Sequence, residues 1–190
     1  MYICAMKLLL HICCAPCSTE VIERLSTGYR VTGFFYNPNI HPKREHEKRR
    51  MELLGFSKSQ GFRVLQGGYD LKEWFELVRG LEKEPEGGMR CEVCFRMRLE
   101  KAAKTAKELG FDAFTTTLTI SPHKDSEAIN RIGAELEERY GVGFLAADFK
   151  KKDGFKKSVE LSKKHGLHRQ SYCGCVFSNL EKRRQAGMER

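Results

Sequence analysis

Hydrophobic and polar positions follow two different periods along the chain. Short apolar runs rich in β-branched and aromatic residues predict five strands, at 7–13, 30–36, 62–65, 113–120 and 142–147. Stretches with helical periodicity predict helices between and after them, at 16–25, 42–59, 71–78, 90–109, 125–140, 158–165 and 176–185. Strands and helices therefore alternate, which predicts an α/β fold: a three-layer, Rossmann-like parallel sheet with helices on both faces.

The length bounds the organisation of the chain. A sequence of 190 residues suits a single domain spanning 1–190, with a cysteine-bearing C-terminal segment at 170–190. No apolar stretch approaches the length of a membrane span, and the first residues lack the features of a signal peptide. We therefore expect a cytoplasmic protein without a membrane partner, whose thiols are kept reduced.

The net charge is strongly positive. At +9 it favours an acidic partner, of which nucleic acid is the commonest. A surface rich in Lys, Arg and Glu is also typical of proteins from hot habitats, which is the alternative explanation. The excess is unevenly spread, however, and this favours nucleic acid; the basic blocks lie at 43–44, 48–50, 150–152, 156–157, 163–164 and 182–184.

Three polar or reactive sites directly follow predicted strands. They are Cys13 with Cys14, Ser121 with Pro122, and Asp148. The carboxyl ends of parallel strands meet at one edge of a sheet, where ligands of such folds bind. The sequence therefore predicts a functional site at that edge.

The cysteines are clustered. Seven of the eight fall into three tight groups, a CCxxC of Cys13, Cys14 and Cys17, a CxxC of Cys91 and Cys94, and a CxC of Cys173 and Cys175; Cys4 has no assigned role. In a reducing compartment such clusters indicate metal binding or thiol redox chemistry rather than structural disulfides.

The first two groups favour an iron–sulfur cluster. Cys91 and Cys94 lie one helical turn apart at a predicted helix start, so both can face one metal centre. Adjacent Cys13 and Cys14 do not fit the usual spacing of zinc ligands, whereas a cubane cluster presents separate irons to neighbouring residues. Together these four would complete the shell of one [4Fe–4S] cluster. Cys17 is a competing ligand, and four-thiolate zinc is the alternative.

The third group has a different geometry. One residue between Cys173 and Cys175 suits a strained and therefore easily reduced disulfide, and Gly174 gives the backbone the freedom that the ring requires. A redox pair of this kind stores two electrons beside a one-electron cluster. The alternative is that both cysteines are further metal ligands.

Five motifs in order resemble the QueH-type epoxyqueuosine reductase family. They run from about Lys7 to about Leu180, and are His11-x-Cys13-Cys14-Ala15-Pro16-Cys17, Tyr36-Asn37-Pro38-Asn39-Ile40, Cys91-x-x-Cys94-Phe95-x-x-Arg98-Leu99, Thr116-Thr117-Leu118-x-x-Ser121-Pro122 and Tyr172-Cys173-Gly174-Cys175. The resemblance implies an oxidoreductase of queuosine biosynthesis. Such an enzyme converts epoxyqueuosine at the tRNA wobble position to queuosine and removes the epoxide oxygen as water.

The resemblance also implies roles for individual residues. Cluster ligands would be Cys13, Cys14, Cys91 and Cys94, and the redox-active pair would be Cys173 with Cys175. A second, mononuclear iron is implied beside the cluster, with Cys17, Asp148 or the CxC pair as candidate ligands. The implied partners are tRNA carrying epoxyqueuosine and an electron donor that the sequence does not identify.

Two other functions remain open. The fold of the family is similar to the nucleotide-binding domain of tRNA thiolation enzymes, so a cluster-dependent thiolation enzyme is one alternative. Those enzymes carry a Ser-Gly-Gly phosphate loop after the first strand, where this chain has residues 13–18, so we do not expect it to use ATP. A structural-zinc RNA-binding module is the other alternative, against which the adjacent Cys13 and Cys14 and the CxC argue.

Several further side chains are candidates for the site. Reduction of an epoxide requires a proton donor, for which the candidates are Asp70, His123, Asp148 and Tyr172. We expect His11 to pack within the first strand rather than bind metal. Tyr36 is a candidate for stacking on an unpaired base. Arg98, one turn past Cys94, would face the charge of a cluster or form an ordinary helix salt bridge, and Lys124 would contact phosphate or simply begin a solvated helix.

Overall fold

A parallel sheet forms the centre of the molecule. The structure, a computed structural model, describes residues 5–188, so Cys4 lies outside the described residues. The strands are β1 Met6–His11, β2 Tyr29–Phe35, β3 Val64–Gln66, β4 Ala113–Thr116 and β5 Gly143–Phe144. They pair in the order β3-β2-β1-β4-β5, with every pair parallel. The predicted α/β fold with a parallel sheet is therefore confirmed.

Helices cover both faces of the sheet. They are α1 Ala15–Leu25, α2 Lys43–Gln60, α3 Leu71–Leu77, α4 Met89–Glu108, α5 Ser126–Tyr140, α6 Gly154–Lys164 and α7 Val176–Met188. Side chains alternate along β1, so Leu8 and Leu10 pack into a core with α1 and α2, and Leu9 packs into a second core with α4 and α5. All three leucines are fully buried, as expected for the central strand of a sheet covered on both faces.

The strand order places a crevice at the carboxyl end of β1. This strand pairs with β2 on one side and β4 on the other, so the chain switches direction across the sheet at this strand. In parallel α/β sheets the ligand lies at such a switch point. The turn after β1 holds Cys13 and Cys14, and it therefore occupies this position.

Two predicted strands are shorter than expected because side chains take the backbone out of the sheet. The strand predicted to reach Ile120 ends at Thr116, whose Oγ1 accepts the N–H of Leu118 at 3.1 Å and begins a 3-10 helix at Thr117–Ile120. Similarly, the strand predicted at 142–147 is reduced to β5. Asn130 of α5 replaces a strand partner beyond it, with its side chain 3.3 Å from both the N and the O of Ala147.

Candidate metal and redox site

Three cysteine sulfurs converge at the junction of β1 and α1. The Sγ atoms of Cys13, Cys14 and Cys17 all lie within 4.8 Å of one another, and those of Cys13 and Cys14 are 3.8 Å apart. Cys14 is the N-cap of α1 in extended conformation, and Pro16 in the first turn fixes the start of the helix. The hydroxyls of Ser18 and Thr19 donate hydrogen bonds back to the carbonyls of Ala15 and Pro16.

One thiolate is stabilised within this triad. Hydrogen bonds from the thiols of Cys14 and Cys17 hold the pKa of Cys13 well below its usual value, although burial acts in the opposite direction. The same interactions, with burial, raise the pKa of Cys14, and they raise that of Cys17 to about 12. Binding a metal ion would displace the remaining protons, since thiolates are the ligands.

The first turn of α4 carries the second group. Cys94 is buried, and Cys91 accepts the N–H of Gly87 on its sulfur at 3.2 Å. Burial is the largest influence on both thiols and raises their pKa values. Within residues 5–188 the sulfurs of the β1–α1 turn form the only group of three or more ligand atoms spaced within 4.8 Å, so Cys91 and Cys94 stand outside that spacing.

Arg98 lies within electrostatic range of all three cysteine groups. Its side chain is 1% exposed, its Nε donates to the carbonyl of Cys94 at 3.0 Å, and its Nη2 has no hydrogen-bond partner. Burial lowers the pKa of Arg98, but the thiolate charges of the surrounding cysteines raise it above its usual value; these are Cys94, Cys173, Cys13 and Cys91. The structure therefore brings residues of the three motifs around one buried cation.

The donor set and its surroundings fit an anionic iron–sulfur group. The candidate ligands are all thiolates, which prefer soft metals and iron–sulfur clusters. Arg98 Nη2 is a buried polar group without a hydrogen-bond partner, and the buried indole N–H of Trp74 has only the Cys94 sulfur near it, where it lowers the pKa that burial raises. A bound anion with sulfur acceptors would satisfy both groups.

The CxC segment is held in a conformation that only glycine permits. Gly174 has φ +122°, and a Cβ on it would lie 3.0 Å from both Arg49 Nη1 and Ile40 Cγ1. Arg49 Nη1 donates to the carbonyl of Cys173 at 3.0 Å, and the backbone N–H of His41 donates to the carbonyl of Gly174 at 2.8 Å. The 39–49 region therefore anchors the pair.

Ser178 fixes the other side of this segment. Its backbone N–H donates to Cys175 Sγ at 3.3 Å, and its Oγ accepts the N–H of Cys173 at 3.4 Å while donating to Glu86 at 2.9 Å. Burial raises the pKa of Cys175 to about 12, and the charge of Cys173 adds to this. Cys175 is thus a buried thiol beside the more accessible Cys173.

A cavity of about 560 Å³ opens at this edge of the sheet. Its wall combines sulfur, cationic and aromatic groups, among them Cys13, Cys14, Cys17, Cys173, Arg49, Lys124, Arg169, Lys182, Phe155 and Tyr172. The volume lies in the range of small-molecule sites. Burial lowers the pKa of Lys124, but the charges of Cys173, Cys13 and Cys17 raise it above its usual range, so this cation lies among the thiolates.

Only some of the predicted site residues line this cavity. Cys13, Cys14, Cys17 and Cys173 line the cavity, and so do His123 and Tyr172 among the candidate proton donors. Cys91, Cys94 and Cys175 do not line it. Neither does Asp148, whose carboxylate accepts a hydrogen bond from Ser126 at 3.2 Å and lies 3.7 Å from Lys150 Nζ. Asp70 is also outside the wall and accepts the hydroxyl of Tyr36 at 2.8 Å.

The surroundings of His11 and Tyr36 test the predictions made for these two side chains. His11 is fully buried within β1, where Thr116 Oγ1 lies 2.8 Å from its Nδ1 and the carbonyl of Tyr36 lies 3.1 Å from its Nε2, so both ring nitrogens have partners and it packs as predicted. Tyr36 as a base-stacking residue is wrong. Its ring is 2% exposed and stacked on Phe34.

Sequence reasoning missed Arg49, Glu86 and Ser178. Arg49 lies in a highly charged helix, where one buried arginine is hard to recognise. Its spacing from Leu53 and Phe56, at i+4 and i+7, places it on the buried face of α2 and is the signal that identifies it. Glu86 and Ser178 carry no comparable signal, because tertiary contacts alone bring them to the CxC segment.

No helix among residues 5–188 is both long and apolar enough to cross a membrane.

Comparison with known sequences gives one consistent family. The family model described as epoxyqueuosine reductase QueH matches residues 8–181. The epoxyqueuosine reductase QueH of Streptococcus pyogenes serotype M1 is 46% identical over 178 residues, covering 90% of this chain and 70% of the relative. That of Thermotoga maritima is 40% identical over 181 residues, covering 92% of this chain and 91% of the relative.

Solved structures share the fold at low sequence identity. The U34-tRNA thiolase NcsA from Methanococcus maripaludis, solved with its [4Fe–4S] cluster, aligns with a TM-score of 0.57 at 11% identity, over 92% of this chain and 61% of that chain. A predicted tRNA methyltransferase subunit from Methanocaldococcus jannaschii aligns with a TM-score of 0.53 at 13% identity, over 84% and 89%. At this identity the likeness concerns the fold alone.

Proposed function

Because the chain belongs to the epoxyqueuosine reductase QueH family, we propose that it reduces epoxyqueuosine in tRNA to queuosine at the cavity beside the β1–α1 turn. The reaction makes it an oxidoreductase that uses an iron–sulfur cofactor. The observation that carries the assignment of this site is the convergence of the Cys13, Cys14 and Cys17 sulfurs, within 4.8 Å of one another, on a cavity wall that also contains Cys173.

The CxC pair has the stoichiometry that the reaction requires. Conversion of an epoxide to an alkene and water consumes two electrons and two protons. Oxidation of the Cys173 and Cys175 thiols to a disulfide releases two electrons and two protons, so the two half-reactions balance. Cys173 lines the cavity, and Gly174 permits the tight backbone that a CxC disulfide requires. The disulfide is then reduced again by an external electron donor.

The proposed cluster ligands are Cys13, Cys14, Cys91 and Cys94, around a [4Fe–4S] cluster. When bound, such a cluster supplies electrons one at a time. The β1–α1 turn orients the first two sulfurs and the first turn of α4 the other two. Arg98 of α4 and Trp74 of α3 would supply a buried positive charge and a buried N–H donor beside Cys94.

Cys17 is the sulfur left over in this assignment. It lies within 4.8 Å of Cys13 and Cys14 and lines the cavity, which makes it the proposed ligand of a second, mononuclear iron. Asp148, another of the ligand candidates, is held by Ser126 and Lys150 away from the cavity wall. Of the two, Cys17 is the better supported.

The cationic wall suits a tRNA substrate. Lys124, Arg169 and Lys182 line the cavity, and Phe155 and Tyr172 offer flat surfaces to a base turned out of the anticodon loop. A cavity of about 560 Å³ accommodates a nucleoside. The chain would thus bind phosphates at the rim and the modified base within.

A direct assay tests the proposal. Anaerobically purified protein is incubated with epoxyqueuosine-containing tRNA and a low-potential reductant, and the nucleosides are analysed by mass spectrometry. We expect epoxyqueuosine to disappear and queuosine to appear in equal amount. The Cys175→Ser variant is the matched control, since it keeps every proposed cluster ligand but cannot form the disulfide. Persistence of the epoxide with an iron-loaded protein would reject the proposal.

A further inference from the structure

Arg98 carries a buried positive charge that no carboxylate of the described chain neutralises. Its side chain is 1% exposed, and no carboxylate lies within salt-bridge distance among residues 5–188. Only Nε has a hydrogen-bond acceptor, the carbonyl of Cys94, and Nη2 has none. Burying a charge without a partner is costly, so the arrangement favours an anionic group beside Arg98.

Two other arginines of α4 show that this is particular to Arg98. Arg90 is equally buried, but its guanidinium donates to the carbonyls of Leu81, Glu82 and Glu84 and pairs with Glu181 at 3.4 Å. Arg96 is exposed and pairs with Glu135. Neighbouring elements therefore supply partners for these two arginines, and the site around Arg98 is built differently.

The surroundings of Arg98 identify the missing anion. Cys94, Cys173, Cys13 and Cys91 are the groups whose negative charge, once deprotonated, acts on Arg98, and Phe95 covers the guanidinium at 5.6 Å. These residues include three of the four proposed cluster ligands and one member of the CxC pair. An iron–sulfur cluster with four thiolate ligands carries net negative charge and exposes sulfur acceptors, so it matches both the charge and the free N–H groups of Arg98.

We propose that Arg98 is the buried counter-ion of the iron–sulfur centre and raises its reduction potential. This inference rests on the proposed function and goes beyond it, since it assigns the residue that sets the electron affinity of the site. One-electron reduction adds a negative charge to the centre, and a fixed cation nearby favours the reduced form. The effect is strong because the site is shielded from water and salt. Arg98 is thus a positioning residue, because it acts on the electron affinity of the centre through its fixed charge.

The test compares midpoint potentials of the anaerobic iron-loaded protein. Reductive titration followed by visible absorption and electron paramagnetic resonance is applied to the wild type, Arg98→Met, Arg98→Gln and Arg98→Lys. In both neutral variants we expect the equilibrium constant for reduction of the centre to fall at least tenfold. For a one-electron couple this lowers the midpoint potential by at least 59 mV. The lysine variant keeps the charge, so its potential should lie between those of the wild type and the neutral variants.

Arg96→Met is the matched control. It makes the same substitution two residues away on the same helix, at an exposed position, and its potential should stay close to that of the wild type. An Arg98→Met potential equal to that of Arg96→Met would overturn the proposal. If the neutral variants lose iron, we expect Arg98→Lys to retain it. Equal iron loss in the lysine and methionine variants would also overturn it.

Stability of the iron-free protein separates a counter-ion from a packing residue. Without the cluster, Arg98→Met removes an uncompensated buried charge and should not lower the midpoint of thermal unfolding. Arg90→Met removes a guanidinium with several partners and should lower it. A fall for Arg98→Met as large as that for Arg90→Met would assign Arg98 a packing role and overturn the proposal. A wild-type protein that binds no iron would instead refute the proposed function itself.

Discussion

Arg49 donates a hydrogen bond from Nη1 to the backbone carbonyl of Cys173 at 3.0 Å, across 124 residues of sequence. The same guanidinium pairs with Glu45 at 2.7 Å and is almost fully buried. The ion pair with Glu45 orients the guanidinium group, and this group binds the carbonyl of the residue that precedes Gly174. The geometry of the CxC pair therefore depends on a helix that contributes no cysteine.

Replacement of Arg49 by methionine should impair catalysis without loss of the cluster. A hydrogen bond from a charged donor contributes about 1.5–3 kcal/mol, so we expect turnover of epoxyqueuosine-tRNA to fall about 10- to 100-fold. Absorption of the iron–sulfur centre should be unchanged, because Arg49 lies outside the proposed ligand set. Arg50→Met, the control, alters a half-buried neighbouring arginine that pairs with Glu47 and donates to Gln66. Equal loss of activity in both variants would contradict the anchoring role.

The cysteine groups should divide by phenotype when each residue is replaced by serine. Variants of the proposed ligands Cys13, Cys14, Cys91 and Cys94 should lose the broad blue-region absorption and most of the iron. Variants at Cys173 and Cys175 should keep both and lose turnover. Cys17→Ser should keep the cluster absorption but lose one iron per chain. If Cys91→Ser keeps its cluster iron and Cys17→Ser loses it, Cys17 and not Cys91 belongs to the set of cluster ligands.

The salt dependence of tRNA binding should reveal the cationic rim. Lys182 lines the cavity, and exposed Lys156 follows the lining residue Phe155. Replacing both lysines with alanine should weaken binding and reduce the slope of log K against log salt by about two, since each phosphate contact contributes about one.

The control for this measurement replaces two exposed lysines at the opposite edge of the sheet. Lys58 and Lys107 lie near the ends of α2 and α4, which lead into the starts of β3 and β4. Their alanine double variant removes the same charge and should leave the slope within about half a unit of the wild type. A common slope for the two double variants would contradict a local docking rim.

The stability of the protein should depend on the protonation of His41. Its Nδ1 accepts the N–H of Val176 at 3.3 Å, and burial, with a contribution from His46, lowers its pKa from 6.5 to about 4. The unfolded chain binds the proton more readily between these values, so this stabilisation is complete above pH 6.5 and is lost as the pH falls towards 4.

Urea unfolding at pH 7 and pH 5 measures this effect. His41→Asn keeps an acceptor for Val176 but does not titrate, so the variant should lose about 2 kcal/mol less stability over that interval than the wild type. The pKa of His46 is also lowered by burial, but it acts in both proteins and cancels in the comparison. Equal losses in the two proteins would contradict the contribution of His41.

The sequence predicts most elements of this fold because local signals agree with the tertiary structure. The consecutive leucines of β1 place apolar side chains on both faces of the sheet, as a buried strand requires. Pro16 marks the start of α1, and Gly110 follows α4. Thr116 shows where this fails. Its β-branched neighbours favour a strand, but its hydroxyl binds both the N–H of Leu118 and the ring of His11, and the chain turns.

The chemistry of the site could be predicted from spacing, and its geometry could not. Three cysteine motifs indicate soft-metal and redox chemistry wherever they occur. Whether Arg98 pairs with a glutamate or faces the cysteines depends on the angle at which α4 packs on the sheet, which periodicity does not specify. The contact between Arg49 and Cys173 likewise arises only when the two ends of the chain meet.

All of the proposed cluster ligands precede residue 95, and the CxC pair follows 79 residues after the last of them. At ribosomal rates of 5–20 residues per second, this separation corresponds to about 4–16 s of synthesis. The nascent polypeptide thus contains the proposed ligand sulfurs before it contains the proposed redox pair. If the centre assembles during synthesis, it would have an interval in which the dithiol does not yet exist and cannot be oxidised.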